Sequence, residues 1–183
     1  MTRTERFVHE LARVGGTAAV LAPPEVPAHV AGLLRERGAR GVLLAPDPLP
    51  GEPAWEPALR EALEGEGVTV VRGAEDPAGL REVPAGITGA LAGVAESGTL
   101  LLGGKPRGPW QWASLLPPLH VALVREERIC ASLDEAFCVL RESLQEGVEE
   151  FVWITGPSRT ADIAITLLLG MHGPKELHVV VVS

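Results

Sequence analysis

Asparagine is absent from this 183-residue chain, glutamine is rare, and cysteine occurs only at Cys130 and Cys138. Two thiols are too few for an iron–sulfur cluster, and their spacing fits no zinc pattern. They read as reduced, packed side chains, and no metal or other cofactor is expected in this chain. The shortage of amides, with arginine far outnumbering lysine, matches GC-rich or heat-adapted sources and bears on no activity. No apolar run reaches the ~18 residues of a membrane helix. The opening "MTRTERFVHELARV" spaces Phe7, Leu11 and Val14 among charges at helical intervals, so it predicts an amphipathic helix over about 2–14 rather than a signal peptide. Positive charge is short too: 16 Lys and Arg face 24 Asp and Glu, for a net charge of −8. Nucleic-acid binders concentrate the opposite sign, which excludes phosphate-backbone binding as the main task. The expectation is a cytoplasmic protein with no membrane span and no nucleic-acid partner.

What the chain does have is apolar bulk: 46% hydrophobic residues and a mean hydropathy of +0.18. That is enough for one domain over 1–183 with a core that needs no staples. Short apolar runs predict strands at 17–22, 41–45, 68–73, 99–103, 119–124, 151–155 and in the terminal "ELHVVVVS". They are continuous rather than alternating, the mark of strands covered on both faces in a parallel α/β sheet. Helical patterns over "PAHVAGLLRERG" and around 54–64 alternate with them, which supports the same class. The segment "ITGALAGVAESG" reads as a short helical stretch closed by a turn at Glu96-Ser97-Gly98-Thr99.

Two further helices have readable ends. In "SLDEAFCVLRESLQ", Ser132 and Glu135 predict a capping box, with Leu133, Phe137, Leu140 and Leu144 on the inward stripe. From Ala161 to Met171 only Asp162 and Thr166 are polar, which predicts a buried helix stopped by Gly173-Pro174, with His172 in its last turn.

The most polar short cluster, "TGPSRT", stands between the strand at 151–155 and that predicted helix. A helix start offers free N–H groups that favour anions. There Ser158 or Thr160 can cap, Gly156 can admit a ligand close to the backbone, and Arg159 can grip a carboxylate or phosphate through two parallel hydrogen bonds. Asp162 suits the first turn, and a plain helix cap accounts equally well for Ser158 and Asp162. The spacing is neither a P-loop nor a dinucleotide fingerprint. Glu96 is the second candidate, a carboxylate able to act as base, nucleophile or hydrogen-bond acceptor, or merely a solvated turn residue. Thr88, Ser97 and Thr99 flank it as ligand-binding candidates. "GGKPRGPWQWASLLPP" reads as a long connection carrying Trp110 and Trp112, either a lid, a partner surface or a hydrophobic clamp. His120, heading a buried strand, reads as a packed histidine.

"ITG…AESGTLLL", "SLLPPLHVALV" and "ITGPSRTADI…LLLGMHGPKELHVVVV" together resemble the LUD-domain proteins, specifically the lactate-utilisation protein C family, over about the C-terminal half. The resemblance implies a three-layer α/β/α domain around a mostly parallel sheet, like that of sugar-phosphate isomerases and CoA transferases. It also implies a part in oxidising L-lactate to pyruvate beside partner subunits that carry the iron–sulfur clusters. Leu91 and Ala164 stand where relatives often have acids.

Three functions follow as expectations. The first is a subunit or accessory of that lactate-oxidising system, binding a small carboxylate or other anion at the helix start after Thr155. The second is a self-sufficient enzyme acting on an acyl-CoA or sugar phosphate through Glu96. The third is a scaffold without a ligand. The sequence leaves the chain's own catalysis open and is compatible with a homo-oligomer.

Overall fold

The computed structural model describes residues 1–71, 80, 82–161, 167–169 and 173–183, with backbone only at 159–161 and 167–169. Helix α1 (Arg3–Arg13) opens the chain, capped by Thr2 and Glu5 in a reciprocal box, and buries Phe7 and Leu11. Then come β1 (Thr17–Leu21), α2 (Val26–Glu36), β2 (Gly41–Leu44), α3 (Trp55–Gly65) and β3 (Thr69–Val71). Next are β4 (Ala85–Gly89), β5 (Ala92–Val94), β6 (Thr99–Gly104), α4 (Pro109–Leu115), β7 (Leu119–Arg125) and β8 (Ile129–Cys130). Helix α5 (Leu133–Gln145), β9 (Glu150–Thr155), β10 (Arg159–Ala161), β11 (Leu167–Leu169) and β12 (Glu176–Val182) complete the order.

Six strands form one all-parallel sheet in the order β1-β12-β7-β4-β2-β3. Helices α2 and α3 cover one face, where Val30, Leu34, Leu59 and Leu63 meet Val42, Ile87, Val121 and Val180. The other face is shared. Helix α4 lies over β4 and β2, while α1 and a four-stranded sheet, β8-β5-β6-β9, lie over β7 and β12. This is the expected mostly parallel sheet between helical layers. The apolar runs are unbroken because both faces of each central strand are buried, each large side chain contributing roughly 1.5–3 kcal/mol.

Three local readings are corrected. "ITGALAGVAESG" is not helical. It supplies the end of β4 and all of β5, because its small residues fit a crowded sheet: a Cβ on Gly89 would stand 2.9 Å from the Asp47 carbonyl oxygen, and one on Gly93 2.7 Å from Ile129 Cδ1. The long connection after Gly104 contains α4, and Trp110 and Trp112 pack inward as a clamp on the core. On α5, Ser132 does accept the Glu135 N–H at 3.4 Å, but the Glu135 carboxylate takes the N–H of Ala131, so the box is not reciprocal. The inward stripe of α5 is Ala136, Leu140 and Ser143, leaving Leu133, Phe137 and Leu144 exposed. Phe137 instead tilts against Trp153, with ring centroids 5.5 Å apart.

The largest correction concerns the described parts of the helix expected over 161–171; residues 162–166 and 170–171 lie outside the described residues. Arg159–Ala161 and Leu167–Leu169 are strands, paired antiparallel as Arg159↔Leu169 and Ala161↔Leu167. No helix starts at 158–160, so the anion site expected at a helix start after Thr155 loses its free N–H groups. A short, nearly apolar run does not distinguish a buried helix from a strand.

Candidate functional site

Strand β9 ends beside β6, and the register sets Thr99 opposite Thr155. Their hydroxyls lie 2.8 Å apart, and Ser97 Oγ is 2.7 Å from Thr99 Oγ1, so three hydroxyls form one chain across two turns. Both turns clasp the end of α1. Gly98 has φ +65°, with its Cβ position 2.3 Å from the Leu11 nitrogen; Gly156 has φ +73°, with its own 2.5 Å from the Val14 carbonyl oxygen. Each glycine is needed for a left-handed turn pressed onto a helix. Val14 fills the place that a Gly156 side chain would take, and the Gly156 backbone is open to the cavity described next.

Beyond Gly156 the chain is pinned by the Ser158 N–H donating to the Pro174 carbonyl at 2.8 Å. Here Thr155, Gly156, Ser158, Gly173, Ser114 and His120 line one cavity of about 240 Å³. His120 comes from the start of β7, Ser114 from α4 and Thr155 from β9, so three distant segments meet. His120 is fully buried, with Nε2 2.8 Å from Thr88 Oγ1. Burial pushes its pKa down to about 4, so the ring is neutral near pH 7. Ser114, also fully buried, donates its hydroxyl to the Gln111 carbonyl at 3.1 Å. The described part of this lining sets hydroxyls, amides and a neutral imidazole among apolar side chains such as Leu115, Trp153 and Leu177, with no charged side chain. It suits a small polar ligand held by hydrogen bonds.

The sequence candidates divide accordingly. Gly156 and Ser158 line the cavity, Thr88 reaches it through His120, and Ser97 and Thr99 through Thr155. The side chains of Arg159 and Thr160, and Asp162, Ala164 and His172 altogether, lie outside the described residues. Glu96 stands apart. It is exposed, and its Oε1 accepts the N–H of Leu133 at 2.7 Å, at the first turn of α5. A carboxylate capping a helix suits the dipole and one orphan donor. The acyl-transfer reading of Glu96 has no support from this placement. Glu96→Ala is expected to cost about 1 kcal/mol of stability, measured by urea denaturation, and to leave ligand binding unchanged.

His120 and Ser114 are the residues that sequence reasoning left out of the site. Their only signal was "SLLPPLHVALV", where a polar residue interrupts an otherwise apolar strand. Cys130 is buried, which raises its thiol pKa, and Cys138 is exposed on α5 rather than packed. Among the described residues, no three of His, Cys, Asp and Glu converge to hold a metal, and no helix is long and apolar enough to cross a membrane.

The family described as LUD domain matches residues 4–182, nearly the whole chain. The chain belongs to the LUD domain family. A crystal structure of a DUF162 family protein from Deinococcus radiodurans is similar over 100% of this chain and 99% of that one, with a TM-score of 0.72 and 25% identity. Among curated LUD relatives, lactate utilization protein C of Deinococcus radiodurans is 33% identical over 104 residues, covering 57% of this chain and 49% of the relative. Lactate utilization protein C of Bacillus subtilis is 32% identical over 152 residues, covering 81% and 58%. This LUD chain thus spans about half the length of the curated relatives it matches. The cavity draws on "SLLPPLH", "ITGPS" and "GP", the segments that carried the resemblance.

Proposed function

We propose that this LUD chain is a subunit or accessory of an L-lactate utilisation system and binds a small 2-hydroxy or 2-oxo carboxylate in the cavity between β7 and β9. The observation that carries the reading is the meeting of the polar side chains of Ser114, His120, Thr155 and Ser158 in one small, otherwise largely apolar hollow. A 2-hydroxy acid presents a hydroxyl and two carboxylate oxygens within a few ångströms, and hydroxyls with a neutral imidazole can donate to or accept from each. Electron transfer falls to iron–sulfur partner proteins in this reading. The named relatives support the lactate assignment.

Calorimetric titration of the full chain with L-lactate and pyruvate tests it, together with recovery of iron–sulfur proteins on the tagged chain from its host. Binding is expected, and Ser158→Val should weaken it about tenfold by removing one ligand hydrogen bond. If neither acid binds at millimolar concentration and no iron–sulfur protein is recovered, the reading fails.

A further inference from the structure

The opposite end of the parallel sheet holds a second hollow, set by topology. The chain leaves the carboxyl end of β2 toward α3 on one face and leaves β4 toward β5 and α4 on the other. Adjacent parallel strands whose exits diverge open a crevice between them, the place where open α/β sheets collect ligands. Two connected cavities fill it, of about 430 and 260 Å³, sharing Pro50, Gly51, Leu91, Ser143 and Glu146.

The two ends differ in chemistry. The wide one meets Ala45 and Pro46 after β2, Gly89 at the end of β4, Leu91, Trp110 and Val148, so its wall is largely hydrocarbon; its one lysine, Lys105, is paired with Glu149. The narrow one meets Arg125, the last residue of β7, and Arg128. Arg125 is fixed: Nη2 donates to the Pro50 carbonyl at 2.9 Å and pairs with Glu52 at 3.2 Å, and Nη1 pairs with Glu127 at 3.3 Å. Its Nε–H is nevertheless buried without a partner among the described residues, an arrangement that is costly unless something accepts from it. Arg128 is exposed and forms no ion pair with a described residue. Asp47 and Glu146 also line the crevice, and Arg125 already pairs with Glu52 and Glu127. Among the described residues Arg128 is therefore the cation left to meet an anion, and more than one negative charge is disfavoured. Burial raises the Asp47 pKa, against the opposing influence of the Gly51 N–H and Arg125.

We propose that the crevice between the carboxyl ends of β2 and β4 is a binding site for a monocarboxylate with an apolar body. The carboxylate lies toward Arg125 and Arg128, and the body against Leu91, Trp110 and Val148. This site is separate from the cavity between β7 and β9, and neither assignment depends on the other.

The test titrates the full chain by calorimetry with three probes. 3-Phenylpropionate carries body and charge, 3-phenylpropanamide the body alone, and acetate the charge alone. 3-Phenylpropionate should bind at least about tenfold more tightly than either of the others. Arg128→Gln, an exposed change that leaves the core intact, should remove that advantage over the amide, and Leu91→Asp should abolish binding by setting a carboxylate at the junction of the two cavities. Ser158→Val should leave it unchanged, which separates this site from the lactate cavity. Equal affinity for acid and amide, or an Arg128→Gln protein that binds as the parent does, overturns the proposal. No binding of 3-phenylpropionate overturns it as well.

Discussion

Replacing Gly86 by alanine is expected to destabilise the protein by about 3 kcal/mol or more, enough to leave much of it unfolded or insoluble on expression. The added Cβ would stand 1.9 Å from the Ala113 carbonyl oxygen and 2.7 Å from its carbonyl carbon. Both are backbone atoms, so no rotamer change relieves the overlap. Strand β4 cannot retreat, being paired with β2 on one side and β7 on the other. Helix α4 cannot lift without uncovering the cluster of Leu43, Leu80, Val83 and Ala113. The control is Gly32, in the middle of α2 with nothing within 4 Å of its Cβ position. Gly32→Ala should stabilise by about 0.5–1 kcal/mol through helix propensity. Chemical denaturation of the two variants reads opposite signs from one chemical change; a Gly86→Ala protein as stable as the parent would mean that α4 does not rest on β4.

The second large effect is acid lability. His120 and His178 are both buried, and each has its pKa lowered from 6.5 to about 4. For His120 the cause is burial alone; for His178 burial leads, followed by the neighbouring charges of His29 and Arg37. His178 Nδ1 lies 2.8 Å from Thr17 Oγ1 and its Nε2 3.1 Å from His29 Nε2, so the ring is held between β1 and α2. The folded protein keeps both rings neutral, whereas the unfolded chain takes up protons at pH 6.5. The folded state's advantage is therefore complete above 6.5 and lost as pH falls toward 4. Between pH 7 and 5 the loss is about 2 kcal/mol for each ring, and about 4 kcal/mol for both. Urea denaturation at the two pH values measures it. His178→Gln should remove roughly half of the difference, and a flat profile would mean that neither ring is held neutral.

How legible was this in the sequence? The central sheet was read well because its strands betray themselves: "VALV" and "VVVV" are covered on both faces and so carry no polar alternation. The amphipathic N-terminal helix was equally plain, since Phe7 and Leu11 lie at helical spacing among charges and both are buried. Strand β4 was missed because "AGITG" is built of small residues, whose choice reflects the backbone of α4 passing over them rather than any local preference. The ribbon of β10 and β11 was missed because a short apolar run satisfies helix and strand alike. On α5, Leu133, Phe137, Leu140 and Leu144 make a correct helical stripe, yet of the four only Leu140 is buried against the sheet beneath.

The site shows the same division. Thr155, Gly156 and Ser158 were flagged as a polar cluster at a strand end, and they do line a hollow. The acid expected to face them does not: Glu96 turns to the start of α5, where the otherwise free N–H of Leu133 donates to its carboxylate. His120 belongs to the hollow, but its role depends on which strand lies across from it, and spacing along one chain carries no such information.

By itself the sequence determined the class of fold, the place along the chain of most central strands, the net negative charge and the family, because these follow from burial periodicity, composition and motif order. Only the tertiary structure decided which side chains share a cavity, that two glycine turns close on α1, and that the exits of β2 and β4 part company. Those outcomes depend on contacts between residues far apart in the chain, where close packing admits few arrangements and local propensity has no vote.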